Sequence, residues 1–226
     1  MHILPFPKSC HKCTNGNDYF LNTAPCQSRD ITTSVQCENN DALISWTESK
    51  GALYYLATLS GNGTISGCNT TTTQCSYPSL QCGQSYNVSV VAVNDACDSV
   101  LSAVSTFETA PCQPQGLTAD LDCSSQTASI VWKKSDGARI YTLMIEGING
   151  DVSSYTTTST FFTSNVLACS QTYGFSVLAI GGTCNSSKSL PVYENTGNIG
   201  GLSTALQNAA DKPLMPVGLP HPRFLG

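Results

Sequence analysis

Cysteine is the residue type with the most chemistry to offer in this sequence, with 12 among 226 residues. Two of them stand as Cys10-His11-Lys12-Cys13. A C-x-x-C spacing suits a redox dithiol or one half of a zinc site. The first wants a βαβ setting and the second a further ligand pair nearby, and neither is evident. Three readings stand for the motif: the end of an upstream structural unit, a local Cys10–Cys13 bridge or stray thiols, and metal or redox work. The histidines are His2, His11 and His221. The stretch 26–195 holds none, so a Ser-His-Asp or Cys-His arrangement cannot form inside it. Asp120, Asp122, Asp136 and Glu146 show no spacing of a matched catalytic pair and read as solvated loop and strand-edge charges. Gly61-Asn62-Gly63 and Gly181-Gly182 read as turn glycines, because the strand–Gly loop–helix setting of a phosphate cradle is missing. The expectation is a protein that is not an enzyme and has no cofactor and no metal.

A second kind of chemistry is written in four N-x-S/T sequons, at Asn62, Asn69, Asn87 and Asn185. Each is a candidate glycan acceptor if the chain enters the secretory pathway. Asn87 lies between Tyr86 and Val88, which the strand pattern turns inward, so Asn87 should point to solvent. A partner protein should therefore avoid that face and use the second half of the chain or the loop ends.

The elements that position these residues come in duplicate. TAPCQ at 23–27 returns at 109–113, and Cys26 and Cys112 are 86 positions apart. At that offset Cys37 falls on Cys123, Trp46 on Trp132, Gly51 on Gly137, Tyr55 on Tyr141 and Gly61 on Gly147. The second copy then gains one residue, after which Cys82 matches Cys169, Tyr86 matches Tyr173 and Cys97 matches Cys184. A long fixed period of this kind marks repeated structural units. Within each copy apolar residues alternate with polar ones: Ala42, Ile44, Trp46; Tyr55, Ala57, Leu59; Tyr86, Val88, Val90, Ala92; and their counterparts in repeat 2. Period two with turn residues between the runs predicts half-buried antiparallel strands. Adding a Thr-rich hairpin (65–79 and 152–164) and a last strand gives about seven short strands per unit, hence a β-sandwich. Charged residues are only 11%, the net charge is −5 and no Lys/Arg cluster stands out, which argues against a nucleic-acid partner. No apolar run reaches the ~20 residues of a membrane helix.

A Trp in the second strand, a Tyr in the third, and LQCGQSYNVSVVA or LACSQTYGFSVLA leading into the sixth resemble the fibronectin type III domain. The resemblance covers about 26–195. It implies an all-β chain of two tandem seven-stranded antiparallel fibronectin type III, immunoglobulin-like sandwiches stapled by disulfides. The implied units are 26–110 and 111–195, flanked by a remnant or irregular segment at 1–25 and a disordered tail at 196–226 with one short helical run, 202–211. Trp46, Trp132, Tyr86 and Tyr173 are implied core residues, the two tyrosines being the corners that tie strand six to the preceding turn. Where the family has proline, this chain has Cys82 and Cys169.

On that frame the cysteines can be paired. Cys68 and Cys75 align with Ser154 and Phe161; joint loss suggests a Cys68–Cys75 bridge across the hairpin. Cys26 and Cys97 belong to the upper end of unit 1, Cys37 and Cys82 to its lower end. Pairing like with like inside each unit predicts Cys26–Cys97, Cys37–Cys82, Cys112–Cys184 and Cys123–Cys169. TAPC then serves as a short, stiff hinge in an end-to-end rod.

The function expected is a non-enzymatic extracellular binding or spacer module of a secreted or cell-surface protein, with an unidentified extracellular protein as partner. The alternative is a ligand-binding ectodomain fragment of a receptor. Further repeats of the same type are expected in the full-length protein. MHILPFPKSC is a poor signal peptide, so the chain reads as a fragment or incomplete gene product of a secreted protein. There is no Arg-Gly-Asp and no Trp-Ser-x-Trp-Ser. Phe161 and Phe162 are the residues whose exposure would mark a contact site.

Overall fold

The computed structural model describes residues 23–165 and 167–197, and every regular element among them is a β-strand. Repeat 1 contributes β1 (Thr32–Gln36), β2 (Asp41–Ser45), β3 (Tyr54–Gly61), β4 (Thr64–Thr70), β5 (Gln74–Tyr77), β6 (Ser85–Val93) and β7 (Ser105–Glu108). Repeat 2 contributes β8 (Thr118–Asp122), β9 (Thr127–Val131), β10 (Ile140–Gly147), β11 (Val152–Thr157), β12 (Phe161–Ser164), β13 (Thr172–Ile180) and β14 (Val192–Asn195). In each repeat a three-stranded sheet, β1-β2-β5 or β8-β9-β12, faces a four-stranded sheet, β4-β3-β6-β7 or β11-β10-β13-β14. All named strand pairs are antiparallel. The CHKC motif and the 202–211 helical run lie outside the described residues.

The alternation read from the sequence is the alternation of burial. Ile44, Trp46, Tyr55, Leu59, Val88 and Val90 fill the first core; Ile130, Trp132, Leu143, Phe175 and Val177 fill the second. Trp46 meets Tyr55 edge-on at 5.4 Å, and Trp132 meets Tyr141 at 5.5 Å, the offset geometry that aromatic quadrupoles prefer. Each of these tyrosines also accepts a backbone N–H through its hydroxyl, Tyr55 from Ser49 at 2.9 Å and Tyr141 from Ser135 at 2.8 Å. Tyr86 and Tyr173 accept from Gln81 N (3.2 Å) and Ala168 N (3.0 Å), tying strand to preceding turn in both repeats. Tyr77 is buried and donates to Ala57 O at 3.0 Å; burial pushes its hydroxyl pKa up to about 12. Because the folded protein keeps that proton when an unfolded chain loses it near pH 10, stability should fall between pH 10 and about 12. Alkaline unfolding curves of wild type and Tyr77→Phe should diverge in that window, the variant having the shallower decline.

The Thr-rich segment is not a hairpin. β4 pairs with β3 and β5 pairs with β2, so the chain changes sheets between them. The Cys68–Cys75 bond, with Cα atoms 6.3 Å apart, therefore ties one sheet to the other. The register also corrects the alignment here. β3 and β4 are joined by Asn62-Gly63, both at positive φ (48° and 71°), as a two-residue type I′ turn demands. In repeat 2 the connection is Ile148-Asn149-Gly150, with Gly147 N bonded to Asp151 O, so the extra residue sits in this turn. Cys68, opposite Ala57, thus corresponds to Tyr155, opposite Leu143; Cys75, opposite Ile44, corresponds to Phe162, opposite Ile130. Ser154 and Phe161, the sequence-aligned positions, are each one residue off. Repeat 2 replaces the disulfide by a ring contact, Tyr155 on Phe162 at 4.8 Å. Tyr155→Cys combined with Phe162→Cys should oxidise to a bridge between β11 and β12, seen as a two-hydrogen mass loss. Ser154→Cys with Phe161→Cys should not.

One repeated feature escaped the sequence reading. Ser99 and Ser102 receive the N–H groups of Ala92 and Val90 on their hydroxyls, both at 2.9 Å. Ser186 and Ser189 do the same for Ala179 (2.9 Å) and Val177 (3.0 Å). Each serine's own N–H returns a bond to the carbonyl of the same residue. Buried hydroxyls thus complete the sheet where the last strand has not yet begun, satisfying groups that would otherwise be costly.

Candidate functional site at the junction of the repeats

The lower end of repeat 1 carries Cys37, in the turn from β1 to β2, and Cys82, just ahead of β6. The upper end of repeat 2 carries Cys112, in the segment after β7, and Cys184, just beyond β13. These four are bonded across the junction: Cys37 to Cys184, with Cα atoms 5.4 Å apart, and Cys82 to Cys112, with Cα atoms 4.9 Å apart. The expected Cys37–Cys82 and Cys112–Cys184 bonds are therefore corrected. Assigning cysteines to ends was sound; confining each pair to one unit was not, because end-to-end stacking sets the bottom of one sandwich against the top of the next. Cys68 pairs with Cys75, and Cys123 with Cys169. Cys26 and Cys97 are each disulfide-bonded but not to one another, so the expected Cys26–Cys97 bond is corrected as well.

Polar and steric contacts set the junction's geometry. Asn40 Oδ1 accepts from Ala110 N at 2.8 Å, and Cys112 N donates to Asp136 O at 3.0 Å. Gly83, at φ 66°, lies directly on the Asp136 backbone, and a Cβ on Gly137 would come within 2.6 Å of the Gly83 Cα. Only glycine leaves room for two backbones this close. Pro111 packs on Gly181, where a Cβ would meet its ring at 2.9 Å. Arg139 Nη2 donates to Glu108 Oε2 at 2.8 Å between the repeats. Both side chains are about half exposed, so the pair contributes no more than about 1 kcal/mol. Taken singly, bonds closing 30 and 147 residues of chain contribute about 4 to 5 kcal/mol in the chain-entropy model. The disulfides, not the ion pair, dominate this interface.

Between the units lies an open cleft of about 510 Å³, walled by Val35, Phe107, Glu108, Arg139 and the Cys37 and Cys184 residues. It holds no general acid–base pair. Asp122, on the far side of repeat 2, accepts from the Ser124 and Ser125 hydroxyls, which hold its pKa down at about 2. It stays an anion that caps its own turn. Among the described residues no group of three or more His, Cys, Asp and Glu side chains could hold a metal ion. No helix among them is long and apolar enough to cross a membrane.

Trp46, Trp132 and Tyr86 are buried, and Tyr173 is half-buried. Asn62, Asn69, Asn87 and Asn185 are all exposed. Asn87 points outward from β6 and accepts from the Thr106 hydroxyl at 2.7 Å. Phe161 and Phe162 part company: Phe162 packs on Tyr155, whereas Phe161 is 62% exposed. Phe161 stands opposite Val131, itself 47% exposed, where repeat 1 has Gln74 opposite Ser45.

Two seven-stranded sandwiches with this strand order, a Trp–Tyr core and a tyrosine corner in each, have the fibronectin type III fold in tandem. No family model matches the chain. It is similar to fibronectin type III domain-containing protein 7: 31% identical to the human protein over 137 residues, which is 60% of this chain and 19% of that protein. Against the mouse protein it is 31% identical over 179 residues, 79% of this chain and 24% of that one. The chain thus spans about a quarter or less of these relatives' length. Among solved structures, a two-domain fibronectin type III segment of chicken tenascin covers 75% of this chain and 99% of its own, at TM-score 0.47 and 17% identity. The FN1–FN3 domains of chicken CNTN1 cover 79% of this chain and 68% of their own, at TM-score 0.37 and 16% identity.

Proposed function

We propose that the chain is a non-enzymatic, extracellular spacer and protein-binding module whose two repeats act as one locked body. The observation that carries this reading is the pair of disulfides across the junction. A linker this short, stapled twice, holds the two sandwiches at a fixed angle, and such bonds persist in an oxidising compartment. The reading includes further repeats of the same type in the full-length protein and glycans on Asn62, Asn69, Asn87 and Asn185. Asn69 and Asn87 flank β3 on the outer face of one sheet of repeat 1, with Asn62 in the turn at its end. Gly174 takes the place of Asn87 in repeat 2, so sugars would shield this sheet face of repeat 1 and leave the matching face of repeat 2 bare.

One observation favours the receptor-ectodomain reading: the exposed Phe161–Val131 pair, which repeat 1 replaces with polar residues. Both readings meet one experiment. The chain is secreted from cells behind an added leader, and its glycan occupancy and thiols are measured. Secretion with no titratable thiol and sugar on Asn87 is expected. Retention with reduced cysteines would remove the extracellular reading. If a binding partner is then found, Phe161→Glu should weaken it at least tenfold for the receptor reading and leave it unchanged for a spacer.

A further inference from the structure

The junction gathers four cysteines, and the lower end of repeat 2 shows what half of that set can do by itself. Cys37 and Cys82 occupy the positions of Cys123 and Cys169, and those two are bonded to one another with Cα atoms 5.6 Å apart. The lower end of this sandwich therefore brings its two cysteines within disulfide reach. On the other side, Pro111 packed against Gly181 sets Cys112 beside the turn that ends at Cys184, whose carbonyl accepts from Gly181 N at 2.9 Å. Each of the four cysteines thus has, beside its partner across the junction, a second cysteine at the same end of its own sandwich.

We propose that the junction is a thiol–disulfide exchange site for a small carboxylate-bearing thiol of the glutathione class, which moves these cysteines between two pairings of equal oxidation state. One pairing crosses the junction, Cys37–Cys184 with Cys82–Cys112, and locks the repeats. The other lies within the units, Cys37–Cys82 with Cys112–Cys184, and unlocks them. The cleft gives the thiol its entry: Cys37 and Cys184 line its wall, and Arg139, 60% exposed and bonded through Nη2 to Glu108, keeps its other guanidinium N–H groups for a carboxylate.

The exchange balances without an oxidant. The entering thiolate attacks the Cys37 sulfur, the more exposed of the bonded pair, forming a mixed disulfide and releasing the Cys184 thiolate. Cys184 attacks the Cys112 sulfur, forming Cys112–Cys184 and releasing the Cys82 thiolate. Cys82 attacks the mixed disulfide at Cys37, forming Cys37–Cys82 and expelling the small thiol unchanged. Two disulfides enter and two leave. The inference rests on the junction's geometry and not on the binding or spacer role.

The test uses the whole oxidised chain, incubated with reduced glutathione, quenched in acid, alkylated and mapped without reduction. Peptides joined by Cys37–Cys82 and Cys112–Cys184 should rise as the two junction-spanning species fall, with no net gain in alkylated thiol. Junction bonds that stay unchanged, or that open to free thiols without forming the new pairs, would overturn the proposal. A second arm needs no added thiol. In Cys184→Ser the liberated Cys37 should capture Cys82, so the free thiol should map to Cys112. In Cys37→Ser the liberated Cys184 should capture Cys112, leaving the thiol on Cys82. A thiol that remains on Cys37 or on Cys184 contradicts the exchange.

Discussion

Phe175→Ala should destabilise repeat 2 by about 3–5 kcal/mol, the range for truncating a buried phenylalanine. Phe175 is fully buried on β13, opposite Ile145 on one side and Val192 on the other. Its removal opens a cavity at the point where the central strands of the larger sheet meet the Trp132 side of the core. Repeat 1 carries Val88 at the matching place and keeps its own core, including Trp46. Denaturant unfolding followed by tryptophan fluorescence should therefore split into two transitions in the variant, with the earlier one belonging to Trp132. A shift under about 1 kcal/mol would mean that the side chain does not fill the centre assigned to it.

Gly83→Ser is expected to act on the junction rather than on the fold of either repeat. Repeat 2 itself supplies the control, for Ser170 occupies the matching position with φ 58°, close to the 66° of Gly83. The backbone conformation alone thus tolerates a serine. What repeat 1 adds is the Asp136 backbone lying against Gly83, where a Cβ has no space. Overpacking of this kind costs about 1–3 kcal/mol, and here it is relieved by parting the repeats. Non-reducing peptide mapping should show the Cys82–Cys112 bond lost from a large share of molecules, and small-angle scattering should show a broader range of interdomain geometries. Ser170→Gly should change neither. Full junction pairing in the Gly83 variant would place the contact elsewhere.

Much of the fold could be read from the chain because two independent signals agreed. Period-two burial marked the strands around Trp46, Tyr55 and Tyr86, and the duplicate in repeat 2 repeated it with the same aromatic anchors. Local alternation is a property of single strands, so it survives in the sequence. The junction was legible only in part. Turn positions told which end of a sandwich held Cys37, Cys82, Cys112 and Cys184. Which partner each chose depended on the stacking of two units, a relation between surfaces that no spacing encodes. Gly83 and Gly137 were the available signal: two glycines at positive φ whose lack of a side chain matters only when another backbone lies against them. The Tyr155–Phe162 pair was misplaced by one residue for a different reason. The extra residue of repeat 2 lies in the β10–β11 turn, upstream of both, so the offset there is already the larger one. The Ser99/Ser102 and Ser186/Ser189 pairs were present as a repeated Ser-x-x-Ser, but polar residues in a loop-like stretch gave no sign of burial.

The two repeats are covalently locked across their junction. The most direct measurement is non-reducing peptide mapping of the chain secreted behind an added leader, quenched in acid and never exposed to thiol. A Cys37 peptide joined to a Cys184 peptide and a Cys82 peptide joined to a Cys112 peptide are expected, beside Cys68–Cys75 and Cys123–Cys169. Cys37–Cys82 and Cys112–Cys184 as the only products of these four cysteines would contradict the lock, leaving two sandwiches joined by the TAPC hinge alone.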